Sequence, residues 1–169
     1  MKKILFIVAT VLVIAGGLTY WGSMFAAQTV GEQLSAQKIT FPNKATLEKE
    51  GDTTLVKFAS AKVDTGVEAK AYSEYIGGHL KKIANGQTYS EVSTAYQKDK
   101  SNKALSGQRQ SLFMGETLRG LLLNAWGWGL IGTIALYASY AMFAAAILVY
   151  VVALYPGTLS KKSARKSRK

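Results

Sequence analysis

The sequence predicts an all-α membrane protein in which two transmembrane helices flank a small helical extracytoplasmic domain. Two stretches, residues 4–27 and 121–155, contain no charged residue and no histidine. Each is longer than the roughly 20 apolar residues that a helix needs to cross a bilayer. All ten acidic residues lie between the two stretches, from Glu32 to Glu116. Apolar ends and a charged middle therefore predict two spans joined by a polar region.

The basic residues outside the two stretches predict the orientation of the chain. Lys2 and Lys3 precede the first stretch, and a basic tail follows the second. Because basic flanks stay in the cytoplasm, we expect a multi-pass protein of the plasma (inner) membrane with both termini cytoplasmic. The tail should attract anionic lipid, at about 1 kcal/mol for each residue near the surface, and we do not expect nucleic acid to bind. Its basic residues are Lys161, Lys162, Arg165, Lys166, Arg168 and Lys169.

These boundaries divide the chain into five segments. Residues 1–3 are a cytoplasmic N-terminus, and residues 4–27 are the first transmembrane helix. Residues 28–120 form an extracytoplasmic, mainly helical domain. Residues 121–155 form a long helix with an interfacial start that becomes the second transmembrane helix, and residues 156–169 are the basic cytoplasmic tail.

Each apolar stretch allows an alternative. The first resembles a signal peptide, but its 24 uncharged residues rise about 36 Å as a helix and offer no good small-residue cleavage site, so we favour an uncleaved anchor. The second would rise about 52 Å as one helix, which raises the possibility of a hairpin. Residues 134–146 contain no Pro, Gly, Asn or Asp for a turn, and a hairpin would export the basic tail. We therefore predict one helix, ended by Pro156 and Gly157.

Small residues within the spans predict where helices approach each other closely, because they let two backbones come together. The candidates are Gly22 and Ala26 in the first span, and Gly127, Gly129, Gly132, Ala135, Ser139, Ala141 and Ala145 in the second stretch.

Helix signals in the middle region come from local caps. Thr65 and Glu68 form a T-x-x-E capping box, and the same box recurs at Thr88 and Glu91. Apolar side chains three and four apart follow the first box, so we predict a helix there. Residues 43–63 show no persuasive period and predict a loop. For the end of the region, from about Leu105, we predict a helix that continues into the second apolar stretch.

Few side chains offer groups that could carry out a reaction. There is no cysteine, and His79 is the only histidine, so a multi-histidine metal site would need ligands from a second chain. We expect no catalytic residue, no metal and no cofactor, and we predict that the protein is not an enzyme. Five residues are candidates for junction or interaction contacts: Glu116 and Arg119 near the membrane edge, and His79, Tyr72 and Tyr75 on a helix of the middle region.

Several short segments carry a family resemblance. They read QKITFP at residues 37–42, AKAY at 69–72, HL at 79–80, GQTYSEV at 86–92 and GETLRGLLLNA at 115–125. With these segments the chain resembles a family of small, uncharacterised two-span membrane proteins of actinobacterial type, some of which are labelled aromatic ring-opening dioxygenase. The resemblance implies a bacterial lineage and a two-span topology. It implies no activity, because such a dioxygenase needs an iron site that this sequence does not assemble alone.

Together these observations predict a non-enzymatic integral membrane protein that presents an extracytoplasmic helical domain for protein binding or assembly in the cell envelope. We expect a membrane protein partner or a homo-oligomer. Two alternatives stay open. One is a regulatory or signal-coupling membrane subunit, and the other is a membrane enzyme in which His79 contributes to an intermolecular metal site.

Overall fold

The structure is a computed structural model that describes residues 2–155, most of which are helical. In chain order the elements are α1 (Lys2–Ala36), α2 (Lys44–Glu50), a 3-10 helix (Thr53–Phe58), α3 (Gly66–Ile83), α4 (Tyr89–Lys98) and α5 (Lys103–Leu154). Residues 2–155 contain no β-strand, and one isolated bridge pairs Thr40 with Lys62. α1 and α5 are both long and apolar enough to cross a membrane. The prediction of an all-α chain with two such helices is confirmed.

The described residues divide into two compact units. We call residues 2–25 and 131–155 the span unit, because it contains the most apolar parts of α1 and α5. We call residues 26–130 the central unit. It contains the end of α1, the whole of α2, the 3-10 helix, α3 and α4, and the first half of α5.

The two helices of the span unit meet through small side chains that recur every seven residues. A seven-residue repeat keeps one face of a helix towards its neighbour, and small side chains let the two backbones approach. The buried members of this seam are Ala9, Gly16 and Ser23 on α1, and Gly132, Ser139, Ala146 and Ala153 on α5.

Contacts across the seam show that the two helices run antiparallel. Thr10 Oγ1 lies 3.0 Å from the hydroxyl oxygen of Tyr150. Further along α1, a Cβ added to Gly16 would lie 3.0 Å from the Phe143 ring. Position 16 therefore has no room for a larger side chain unless the Phe143 ring moves.

The predicted set of small residues matches this seam only in part. Gly132 is buried at the seam spacing. Ser139 also lies on the seam and is fully buried, with its hydroxyl donating to the Leu136 carbonyl at 2.7 Å. Gly22 is exposed, and a Cβ added there would meet nothing within 4 Å. The neighbouring Ser23 is buried instead, at 3% exposure, because the repeat that governs the packing is seven residues rather than four.

The second apolar stretch is part of one uninterrupted helix, α5, which extends over 52 residues from Lys103 to Leu154. The predicted single helix is confirmed, and the hairpin alternative does not occur. The predicted stop at Pro156 and Gly157 lies outside the described residues, as does the basic tail.

The prediction of a loop at residues 43–63 is wrong, because this segment contains α2 and the 3-10 helix. Asn43 begins α2, and its side-chain oxygen accepts a hydrogen bond from the Thr46 backbone N–H at 2.9 Å. Gly51 ends α2 in the left-handed conformation, with φ at 85°. A helix of seven residues is too short to show an apolar period, so its two caps were the only available signal.

The larger apolar core of the central unit forms around Phe41, whose side chain is only 3% exposed. Its ring stacks on Phe58 at 5.4 Å and meets the edge of Tyr72 at 5.1 Å, measured between ring centroids. Burial of such aromatic rings supplies much of the stability of a small core. The other buried members are Val30, Leu34, Leu47, Leu55, Val63, Ala69, Ala71 and Leu122.

Helices α3 and α5 pack antiparallel within the central unit, and glycines bring them unusually close. At each of three places, a glycine on one helix leaves room for an atom of the other helix. A Cβ added to Gly66 would lie 3.2 Å from the Trp126 Cα, one added to Gly77 would lie 3.0 Å from the Arg119 guanidinium, and one added to Gly115 would lie 2.5 Å from a Leu80 methyl group. We call these three contacts the α3–α5 notches.

Both predicted capping boxes are present. At the start of α3, a Glu68 carboxylate oxygen accepts from the Thr65 backbone N–H at 3.0 Å. At the start of α4, a Glu91 carboxylate oxygen accepts from the Thr88 N–H at 2.7 Å and from its hydroxyl at 2.8 Å. These bonds satisfy backbone donors that have no partner within the helix.

The Thr88 box predicts a shifted titration of Glu91. Hydrogen bonds from the Thr88 backbone N–H, and then from its hydroxyl, lower the pKa of Glu91 below its ordinary value of 4.5. The stability gained from this lowered pKa is present above the unfolded value and is lost as the pH falls through the folded value. We expect Thr88→Ala to raise the Glu91 pKa part of the way back, as measured by carbon NMR of its carboxyl group. Thr94→Ala, at an exposed position of the same helix, should leave the Glu91 pKa unchanged.

Candidate functional site

The turn after α2 places two carboxylates beside α3. Gly51 reverses the chain, and the Asp52 backbone N–H then donates to the Leu47 carbonyl at 2.9 Å. The backbone on the other side of the turn is tied to α3, because Lys82 Nζ donates to the Glu50 carbonyl at 2.7 Å. The first bond closes the turn on α2 and the second ties the end of α2 to α3, so the turn brings Glu50 and Asp52 near the α3 residue His79.

Glu50, Asp52 and His79 form a cluster of potential metal ligands. One side-chain ligand atom from each residue lies within 4.8 Å of the other two. The closest ion-pair distance, between His79 Nε2 and Glu50 Oε1, is 3.7 Å. The cluster is partly open to solvent, since the His79 side chain is 36% exposed and that of Glu50 is 28% exposed.

The imidazole of His79 is oriented by the backbone of its own helix. Its Nδ1 lies 3.2 Å from the Tyr75 carbonyl oxygen. Because a carbonyl oxygen only accepts, Nδ1 carries the proton in this contact. In the neutral ring, Nε2 is then left with a free lone pair, and Nε2 is the nitrogen that lies towards Glu50.

Tyr75 connects the cluster to the aromatic core. Its hydroxyl donates to Glu50 Oε2 at 3.2 Å, and its ring centroid lies 4.4 Å from that of His79 and 5.5 Å from that of Tyr72. Burial, followed by the hydrogen bond to Glu50 and the Glu50 charge, raises the Tyr75 pKa to about 12. Burial also raises the Tyr72 pKa. Tyr75 therefore stays protonated at neutral pH and serves the Glu50 carboxylate as a hydrogen-bond donor.

Asp52 has a buried oxygen without a partner. Among the residues that the structure describes, its Oδ2 is one of two buried side-chain polar atoms that form no hydrogen bond. Such atoms are rare in folded proteins, because a buried carboxylate oxygen loses its water without compensation. An unpaired oxygen here calls for a ligand, a water or an ion as an explanation.

The two remaining candidate residues, Glu116 and Arg119, act as a clamp between α5 and α3. Arg119 Nη1 donates to both carboxylate oxygens of Glu116, at 2.9 and 2.7 Å. Its Nε donates to the Ser73 carbonyl of α3 at 3.1 Å, and the guanidinium fills the notch at Gly77. This geometry explains the pair as a packing device within the central unit.

Sequence reasoning placed Tyr72, Tyr75 and His79 on one helix face, and the ring contacts connect Tyr72 to Tyr75 and Tyr75 to His79. It missed Glu50 and Asp52, the two carboxylates that approach His79. No sequence signal marked them, because they lie 29 and 27 positions away along the chain and only the tertiary packing of the α2 turn brings them close. The basic tail from Lys161 to Lys169, also a candidate, lies outside the described residues.

The fold and this cluster define an all-α protein with two candidate membrane-spanning helices and a carboxylate–imidazole cluster in its central unit. Comparisons with protein-family models, curated proteins and solved structures found no match. The resemblance to two-span actinobacterial-type proteins stays a prediction.

Proposed function

We propose that the chain is a non-enzymatic integral membrane protein of the cell envelope that presents a helical extracytoplasmic domain for protein binding or assembly. In this proposal the span unit crosses the plasma membrane twice, both termini lie in the cytoplasm, and the central unit lies outside. The basic tail contacts anionic lipid.

One observation carries the proposal: the apolar side chains of the span unit are largely uncovered by protein. In the most apolar segment of α1, only 11% is buried inside the protein, and the same holds for the most apolar segment of α5. A core helix of a water-soluble protein would be mostly buried instead. Burying a large apolar side chain is worth roughly 1.5–3 kcal/mol, so contact with lipid rather than water would stabilise a surface this apolar, and this supports two membrane spans. Examples of the exposed side chains are Ile7, Leu18, Trp21, Tyr137, Ile147 and Leu148.

The composition of the central unit supports its exposure to water on the outer side. It contains all ten acidic residues, and each of its capping boxes uses a carboxylate. Lys2 and Lys3 and the basic tail flank the spans at the opposite ends, where basic residues favour the cytoplasm.

The topology can be tested with single cysteines, because the chain contains none. We expect Gln97→Cys, at an exposed position of α4, to react with a membrane-impermeant maleimide in intact cells. Ser163→Cys in the tail should react only after the membrane is opened. Tyr137→Cys within the second span is the control and should stay largely unlabelled in both cases.

Reversed labelling of positions 97 and 163 would overturn the proposed orientation. Equal labelling of positions 97 and 137 would overturn the membrane span itself.

The binding role needs a separate measurement. We expect mild-detergent purification from the native host, followed by mass spectrometry and light scattering, to give either a constant stoichiometry with one membrane protein or a defined homo-oligomer. A monomer without a partner would contradict the binding and assembly role and would leave the topology unaffected.

A further inference from the structure

We infer that Glu50, Asp52 and His79 bind one divalent transition-metal ion, with zinc as the first probe, between the α2 turn and α3. This inference goes beyond the proposed function, since it concerns a site within the central unit and holds for either orientation in the membrane. It also departs from the expectation of no metal.

The three side chains form a mixed nitrogen and oxygen donor set. Imidazole nitrogen suits zinc, iron, nickel and copper, whereas a purely carboxylate site suits magnesium, calcium or manganese. Zinc sites with three protein ligands are known to use combinations of histidine and carboxylate, with water or another group in the fourth position. One histidine and two carboxylates therefore favour a first-row transition ion over magnesium.

The spacing of the three ligand atoms suits a single ion. They lie within 4.8 Å of one another, while zinc bonds of about 2.0–2.2 Å place ligands roughly 3–4 Å apart. Side-chain rotations of Glu50 and His79 can close this gap, because both side chains are partly exposed. The same exposure gives the ion an entry path and leaves a coordination position for water or a further ligand.

Two contacts behind the cluster already have the form that a metal site requires. Metal-binding histidines usually donate their other ring N–H to a carbonyl or carboxylate, which fixes the tautomer and leaves the opposite nitrogen free. His79 does this through Nδ1 and the Tyr75 carbonyl. Ligating carboxylates are in turn hydrogen-bonded, and Glu50 accepts from the Tyr75 hydroxyl.

The partnerless oxygen of Asp52 is a separate observation that favours a ligand. Asp52 Oδ2 is buried and forms no hydrogen bond, although the residue is only partly buried and belongs to the cluster of three. A cation bound through Oδ2 would satisfy this oxygen. The positive charge near the cluster, Lys82 Nζ, is bonded to the Glu50 backbone carbonyl, so it leaves the carboxylate of Asp52 available.

The test uses the full chain in mild detergent, purified by a tag without histidine and freed of metal by a chelator. In equilibrium dialysis against zinc, with metal measured by mass spectrometry, we expect one zinc per chain. His79→Gln and Asp52→Asn should each weaken zinc binding at least tenfold. Glu48→Gln is the matched control, because Glu48 lies on the same α2 helix but is exposed and pairs with Lys44 at 3.6 Å.

A second measurement decides the question even if a variant fails to fold. Since His79 is the only histidine, its ring protons give a single set of NMR signals in the unmodified chain. We expect zinc to shift these signals and to saturate at one equivalent. Unshifted histidine signals, zinc retained equally by His79→Gln, or no zinc retained at micromolar free concentration would each overturn the inference and leave a plain Glu50–His79 ion pair.

Discussion

Replacing Phe41 with alanine is expected to lower the free energy of unfolding of the central unit by about 3–5 kcal/mol, the usual cost of removing a buried phenylalanine. The ring is 3% exposed and lies between Phe58 and Tyr72, so its loss leaves a cavity that neighbouring aromatic rings cannot easily fill. Hydrogen exchange of the α3 backbone amides in detergent measures the change, since these amides exchange when the unit opens.

Phe113→Ala is the control for this prediction, because it removes the same side chain from a position that is 59% exposed. We expect it to cost less than about 1 kcal/mol. Equal losses for the two variants would mean that the Phe41 cluster is not the core of the central unit.

Replacing Gly115 with valine should separate α3 from α5. A Cβ at this position would lie 2.5 and 2.7 Å from the two Leu80 methyl groups, and Leu80 is itself buried against Leu112, Ala84 and Val92. Overpacking of this kind typically costs about 1–3 kcal/mol, and we expect the upper end because valine adds three carbon atoms. Thermal unfolding monitored by circular dichroism gives the measurement.

Gly107→Val is the matched control, since Gly107 lies on the same helix and a Cβ there would meet nothing within 4 Å. Its stability should stay the same or rise slightly, because valine has a better helix propensity than glycine. If Gly107→Val destabilises the protein as much as Gly115→Val does, steric contact with Leu80 is not the cause.

Sequence signals that act within a few residues predicted the local structure well. The boxes at Thr65 and Thr88 each place the start of a helix correctly, because a cap needs only residues three positions apart. The absence of turn residues at 134–146 predicted an unbroken α5. The same local reasoning would have found α2 from Asn43 and Gly51 if these residues had been read as the caps of a short helix.

Features that depend on how helices meet were predicted less well. The seam in the span unit repeats every seven residues, at Ala9, Gly16 and Ser23 on α1, and a search for small residues four apart selects Gly22 instead. This error was avoidable, because the seven-residue spacing is visible in the sequence. In contrast, the approach of Glu50 and Asp52 to His79 depends on how the α2 turn packs on α3, for which one sequence offers no pattern.

The α3–α5 notches limit the motions that are open to the central unit. Many proteins respond to a ligand by shear, in which packed helices slide past each other by a small distance. Here a slide would drive the Arg119 guanidinium out of the space at Gly77 and push Leu80 away from Gly115, while the Arg119 bond to the Ser73 carbonyl would break. The three notches therefore hold α3 and α5 in one register and oppose sliding of either helix along the other. We therefore expect adjustment to a ligand at the turn between α2 and the 3-10 helix, where a Cβ added to Gly51 would meet nothing within 4 Å, rather than by sliding of α3 along α5.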